Sequence, residues 1–361
     1  MTTYRAAVIG CSRMGGFIDN ESAGRAPIQV PMSHGGGFFE CPRTDLVACS
    51  DLRQDVMGAF GKRYDVPEGS QYTDYRQMLE QEHLDIVSVA TQPEPRARIV
   101  IDAIERGVRA IYAEKPMAAS LVEADELVTA VERQKVVFNL GTNRRWDARY
   151  ERMKRLIDDG ELGPLRTLIA YDGGFLFNMG SHMFDLLMYL NNDKLPVWVQ
   201  GHLHDGADQI EGNSLRGDPS GQGMIQFENG VMAHEVYCPH RFDFEAIGDR
   251  GRITAFDNAL EWQLHVMDAA DRRKSKVPAP ITFSPDECRS TTLRLIEDLV
   301  HALDTGRPTR GGVQAARRTM ELSFGVIESH RRGGARVIVP LENRTLCLRR
   351  DRQPNQPRIH A

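Results

Sequence analysis

No run of this chain comes near the ~18 consecutive apolar residues that a membrane helix needs. The start, from Met1 to Arg5, leads into a strand-like segment without the apolar stretch of an export signal. Neither a membrane span nor export is expected, which implies a cytoplasmic location. The six cysteines, Cys11, Cys41, Cys49, Cys238, Cys288 and Cys347, are scattered without a Cys-x-x-Cys pair. They are too sparse for a disulfide scaffold and read as reduced thiols. Basic charge is not in excess, since 45 Lys and Arg face 50 Asp and Glu for a formal net charge of -5. The short pairs Arg331-Arg332 and Arg349-Arg350 cannot track a phosphate backbone, so nucleic acid is not an expected partner. What is there is 361 residues, 41% hydrophobic and 26% charged, an ordinary globular composition with length enough for two domains.

Up to about residue 141, short apolar runs alternate with helical periodicity, the pattern of a parallel sheet covered by helices. Strands are expected at Ala6-Ala7-Val8-Ile9, Leu46 to Cys49, Asp85 to Val89, Val108 to Tyr112 and Val136 to Leu140. Helices are expected at Gln54 to Tyr64, Asp74 to Glu82, Arg96 to Arg106 and Leu121 to Arg133, the last opened by Ser120 and Glu123 at capping-box spacing. From Pro196 to Met267 the texture changes to alternating strands and turns, with Asn229-Gly230 as a hairpin signal of the type I′ kind. Helical patterns follow near Glu287 to Leu303 and Gln314 to His330. The expected organisation is α/β: a doubly wound Rossmann domain over 1–141, an α+β domain with a large, mainly antiparallel open sheet over 142–345, and a mobile tail over 346–361.

Gly10-Cys11-Ser12-Arg13-Met14-Gly15 follows the first strand and precedes a helical segment. Glycines there permit a tight turn and close backbone approach, and N–H groups opening a helix receive a pyrophosphate. Ser12 stands where the middle glycine of the fingerprint belongs, and is small enough to keep that backbone accessible. Asp51, ending the second strand, is suited to accept from a ribose 2′-hydroxyl and to repel a 2′-phosphate. NAD is the expected cofactor, with NADP left open because Arg53 follows two residues on. Residues 24–40, with Gly35-Gly36-Gly37, read as an inserted loop leaving the C-terminal edge of the sheet, with His34 either on its surface or touching substrate.

Ala113-Glu114-Lys115-Pro116 ends a central strand, and Gly180-Ser181-His182-Met183-Phe184-Asp185 follows a strand of the second domain. Through these, the N-terminal fingerprint and the Gly160-Glu161-Leu162-Gly163 ending of a helix, the chain resembles the Gfo/Idh/MocA oxidoreductases from about Tyr4 to Pro340. The resemblance implies nicotinamide-linked oxidation or reduction of sugars, polyols and related alcohols, with association through the C-terminal sheet into a homodimer or homotetramer. It implies Lys115 at the substrate oxygen, Glu114 and Lys115 against the cofactor, and Thr91 and Gln92 edging the nicotinamide ring or ribose.

The residues suit that chemistry. Oxidising a carbinol takes a base for the hydroxyl proton and a donor to the oxygen as negative charge develops on it. His182 is the expected base, with Asp185 three residues on to orient it or to contact substrate. Asn178 stands where many members carry an aspartate, so proton transfer rests on His182 and Lys115, and Asn178 is left to bind a hydroxyl. Arg144 and Arg145, after the fifth strand, are candidates for a polyhydroxylated or anionic ligand. No metal is expected, His202-x-His204 lacking a third ligand at matching spacing. Two alternatives remain open: a glycoside-cleaving enzyme that oxidises transiently, eliminates and re-reduces, and a non-catalytic cofactor-sensing regulator.

Overall fold

The computed structural model describes residues 2–24, 28–239, 242–268, 275–276 and 288–349. The described residues form two compact units: those up to 146 together with 289–317, and those of 147–288 together with 318–349.

In the first unit, β1 (Tyr4–Ile9), β2 (Thr44–Ser50), β3 (Gln71–Tyr72), β4 (Ile86–Val89), β5 (Ala110–Ala113) and β6 (Val137–Leu140) form one sheet in the order β3-β2-β1-β4-β5-β6. Every pairing is parallel. The residues of β4 and β5 are buried without alternation, which is why these strands read as continuous apolar runs. The connecting helices are α1 (Asp19–Ser22), α2 (His34–Glu40), α3 (Gln54–Tyr64), α4 (Tyr75–Gln81), α5 (Pro93–Glu105) and α6 (Leu121–Gln134). At the start of α6 the Ser120 hydroxyl accepts from the Glu123 N–H at 3.3 Å, while Glu123 accepts from the N–H of Ala119 at 2.9 Å. The expected capping pair is present, with its return bond one residue early. The strand order reverses between β1 and β4, and ligands of such sheets bind beyond the carboxyl ends of the strands at that reversal.

The second unit contains α7 (Ala148–Asp158), α8 (Gly180–Leu190) and the strands β7 (Leu165–Asp172), β8 (Pro196–Asp205), β9 (Ile210–Glu211), β10 (Ser214–Leu215), β11 (Ser220–Phe227), β12 (Met232–Tyr237), β13 (Asp243–Gly248), β14 (Gly251–Phe256), β15 (Glu261–Met267), β16 (Ser275–Lys276), β17 (Val337–Ile338) and β18 (Cys347–Leu348). Nine of them form a sheet in the order β16-β15-β14-β13-β7-β12-β11-β8-β17, antiparallel throughout except for β7 beside β12. Phe227 and Val231 close the β11–β12 hairpin, the Gly230 N–H donates to the Phe227 carbonyl, and positive φ is confined to Gly230. It is a three-residue loop with a left-handed glycine, not the expected type I′ turn. The segment expected to be a mobile tail begins ordered: Leu346 and Leu348 are buried, and β18 pairs with β10. The rest of it, from residue 350, lies outside the described residues. Past the sheet come α9 (Thr291–Thr305), which belongs to the first unit, and α10 (Val313–Arg331).

The clearest departure from the sequence reading is residues 24–40. Residues 34–40 are a helix, α2, and His34 is fully buried in it, not a surface loop residue. Ser33 caps the helix by accepting from the Gly36 N–H, and Asp19 accepts from the N–H groups of Met32 and Ser33. Three glycines in a row are poor helix formers, but here they create close approach. A Cβ on Gly35 would meet the Phe60 ring at 2.7 Å, and one on Gly37 would meet Ile296 Cδ1 at 2.6 Å. Ser290 and Thr292, at the start of α9, donate to the carbonyls of Pro31 and Met32.

Candidate functional site

The carboxyl ends of β1, β2, β4 and β5 carry the residues singled out in the first unit. After β1, Gly10 has φ +90 and its α-carbon faces the Ala90 peptide, where a Cβ would stand 2.9 Å from the carbonyl carbon. A Cβ on Gly15 would lie 1.9 Å from the Gly10 carbonyl oxygen. The chain turns back on itself over Gly10–Gly15 so tightly that neither position admits a side chain. Residues Arg13–Phe17 then form a short π-helical turn, whose first N–H groups lack partners within the turn. Ser12 and Met14 are half-buried, and Arg13 is exposed and ion-paired with Glu21 at 2.8 Å.

At the end of β2, Asp51 is half-buried and fixes the glycine turn. Oδ2 accepts from the Cys11 N–H at 2.8 Å and Oδ1 from the Arg53 N–H at 2.9 Å. Burial pushes its carboxyl above the usual aspartate value, and these two donors offset only part of that rise. A carboxylate so held retains free lone pairs for a ribose hydroxyl. After β4, Thr91 is half-buried and Gln92, the N-cap of α5, is exposed. The turn is clamped from behind by Arg96, which is 3% exposed and donates to the carbonyls of both Thr91 and Pro116. Arg96 thereby ties the β4 and β5 ends together. After β5, Glu114 is buried and Lys115 half-buried.

The glycine turn with no room for Cβ atoms and the carboxylate at the next strand end fit a dinucleotide. Gly10, Ser12, Arg13, Met14 and Gly15 would hold its pyrophosphate and Asp51 its ribose.

In the second unit, α8 opens at Gly180, which places His182 half-buried in its first turn, and the Ser181 hydroxyl donates to the Asn178 carbonyl at 3.1 Å. Asn178 itself is exposed. Beneath this turn lies a carboxyl pair that the sequence reading missed. Glu235 on β12 is 3% exposed and Asp172 at the end of β7 is 4% exposed. A Cβ on Gly180 would meet Glu235 Oε1 at 3.0 Å, and one on Gly174 would meet Asp172 Oδ2 at the same distance. Burial raises the Glu235 carboxyl well above its usual range, and the Asp172 charge adds to the rise. The available signal was phase: Glu235 occupies an inward position in the alternation of β12.

Two residues expected to face a ligand have other surroundings. Arg145 is fully buried and donates from Nη1 to the Arg310 carbonyl at 3.1 Å. Asp185 is 1% exposed, with the Thr319 hydroxyl 3.5 Å away. Arg144 remains half-exposed. His202 faces His330, Nδ1 to Nδ1 at 3.1 Å, while the His204 ring lies against Tyr237. Among the described residues no group of three or more His, Cys, Asp and Glu is placed to hold a metal ion, and no helix is long and apolar enough to cross a membrane.

Residues 4–142 match a family model described as an oxidoreductase family with an NAD-binding Rossmann fold. The chain is similar to myo-inositol 2-dehydrogenase of Thermotoga maritima, 22% identical over 79% of this chain and 88% of that protein. It is also similar to the NAD(+)-dependent scyllo-inositol 2-dehydrogenase of Bacillus subtilis, 29% identical over 36% of this chain and 41% of the other. Among solved structures, a levoglucosan dehydrogenase in complex with NADH and L-sorbose superposes over 94% of this chain and all of its own (100%), with a TM-score of 0.78 at 17% identity. An oxidoreductase from Agrobacterium radiobacter in complex with NAD+, L-tartaric acid and magnesium covers 93% of this chain and 98% of that one, with a TM-score of 0.74 at 16% identity.

Proposed function

We propose that this chain, whose residues 4–142 match an oxidoreductase family with an NAD-binding Rossmann fold, is a Gfo/Idh/MocA oxidoreductase that oxidises a secondary hydroxyl of a sugar, glycoside or cyclitol. The observation that carries the reading is the convergence of Gly10–Gly15, Asp51, Thr91-Gln92 and Glu114-Lys115 on the carboxyl ends of β1, β2, β4 and β5, on both sides of the reversal in strand order. NAD, when bound, supplies the hydride acceptor. The inositol dehydrogenases among the relatives support a polyol as the reduced partner.

In this reading Lys115 donates to the substrate oxygen, opposing negative charge that develops there as its proton leaves. His182 takes that proton as the general base. Asn178 and Arg144 bind neighbouring hydroxyls, and Thr91 and Gln92 edge the nicotinamide. Arg145 and Asp185, being buried, support the chain that carries these residues. The half-exposed face of the large sheet, which carries Ile169, Met224, Met232 and Val236, is proposed as the contact of a homodimer or homotetramer.

The test is absorbance of reduced nicotinamide across a panel of inositols, aldoses and anhydrosugars, with NAD expected to outpace NADP. Lys115→Ala and His182→Ala are each expected to lower kcat/KM by about 10²- to 10⁴-fold, and full turnover in either would sink the assignment. Product release without accumulation of reduced cofactor would point instead to transient oxidation and bond cleavage. Tight cofactor binding with no turnover of any kind would point to a sensor.

A further inference from the structure

The reaction proposed above leaves one buried imidazole unused. His34 is 0% exposed, its ring lies flat on Tyr112 with centroids 3.8 Å apart, and both nitrogens are engaged. Nδ1 meets the Ser88 hydroxyl, and Nε2 is 3.1 Å from Glu114 Oε1. An ionised carboxylate only accepts, so Nε2 carries a proton and donates it to Glu114, whichever way the Ser88 hydroxyl points. The other oxygen of Glu114 accepts from the backbone N–H of Lys115 at 3.1 Å. Gly141 leaves the space for this: a Cβ there would stand 2.9 Å from Glu114 Oε1. Glu114 is therefore shared between an imidazole on one side and the peptide of Lys115 on the other.

We propose that His34 is a positioning residue for Lys115, holding Glu114 ionised and oriented so that Glu114 fixes the Lys115 peptide and keeps the ammonium protonated. The proposal rests on the reading that Lys115 meets the substrate oxygen. The groups facing Glu114 are His34 from α2, the phenol of Tyr112 from β5, Arg96 from α5 and Lys115 itself. Burial alone would raise the Glu114 carboxyl; the His34 hydrogen bond and charge, then the charges of Lys115 and Arg96, outweigh it and hold the carboxyl below its ordinary value. By linkage, whatever keeps the proton off Glu114 keeps one on Lys115. Without the imidazole, Glu114 is a buried carboxylate short of a donor and takes up a proton. The ammonium then loses the stabilising charge of Glu114.

The experiment is amine-reactive labelling of Lys115 as a function of pH, read by peptide mass spectrometry, in parallel with kcat–pH profiles. His34→Leu keeps the bulk and removes the donor; His34→Gln keeps a side-chain N–H on the Glu114 side. In His34→Leu the labelling midpoint is expected to fall by about one pH unit. There kcat should drop about tenfold to a hundredfold while the KM for NAD stays within about twofold, because the Gly10–Gly15 turn is untouched. His34→Gln should restore the midpoint. A folded His34→Leu with an unmoved midpoint and an unmoved profile overturns the proposal. Should His34→Leu not fold, Glu114→Gln must lower the midpoint and His34→Gln must leave it near the parent value, and failure of either overturns the proposal. A shifted midpoint in a chain that oxidises no polyol removes the functional reading and leaves the linkage standing. Normal oxidation with an unmoved midpoint removes the linkage alone.

Discussion

At the scale of single residues, the tightest constraint is the turn after β1. A methyl on Gly15 would sit 1.9 Å from the Gly10 carbonyl oxygen, so the turn must open to admit it. Gly15→Ala is expected to lose about 1–3 kcal/mol of stability and to bind NAD at least tenfold more weakly, measured by denaturant unfolding and fluorescence titration. Glu235 makes a prediction of opposite sign. Its folded-state pKa lies well above the ordinary value, so the folded chain holds this proton more tightly than the unfolded one. Its contribution to stability therefore worsens as pH rises from about 4.3, the value of a free glutamate, towards the raised folded value. Glu235→Gln keeps the shape and removes the charge. It should melt above the parent at about pH 8 and lose that advantage near pH 4, and a variant less stable at every pH would refute this. The placement of Gly10, Asp51 and Lys115 at strand ends and of His182 at a helix start was legible in the sequence, because the runs before them have clear strand or turn character. The burial of Arg145, Asp185 and Glu235 was not, since it depends on which distant segments cover them.

At the scale of elements, legibility follows periodicity. α3 and α6 carry apolar residues at helical spacing and begin where expected. α2 carries Gly35-Gly36-Gly37, which argues for a loop by propensity and for a helix only once Phe60, Tyr64, Thr292 and Ile296 are seen crowding its surface. Context decides the sign of glycine substitutions accordingly. Gly58 in α3 has open space where its Cβ would go, and Gly58→Ala should stabilise by about 0.5–1 kcal/mol. Gly37→Ala gains the same propensity but drives its methyl to 2.6 Å from Ile296 Cδ1 and 2.9 Å from Thr292 Cγ2, and should destabilise by about 1–3 kcal/mol. Thermal melts of the two variants are expected to move in opposite directions. The β11–β12 hairpin makes a milder case. Asn229-Gly230 marked the turn, but the register that pairs Gln226 with Met232 leaves three residues between Phe227 and Val231.

At the scale of the whole molecule, the α/β organisation was readable from alternation of strand and helix patterns. The route of the chain was not. α9 returns to the first unit, where Leu295, Ile296, Leu299 and Val300 join Phe38, Phe60 and Tyr112 in one core. Asp298 accepts from the Trp146 indole at 3.1 Å and from Asn139 at 3.2 Å, and Asp304 accepts from the Tyr4 hydroxyl at 2.7 Å. This has a consequence for synthesis. A ribosome delivers β1 to β6 first, yet the surface that α9 covers stays bare until Thr305 has emerged, with all of residues 147–288 made in between. The nascent sheet must remain soluble through that interval with its apolar flank exposed. A fragment stopped at Trp146 should accordingly aggregate or bind a hydrophobic dye, and a peptide spanning residues 289–317 supplied separately should suppress both.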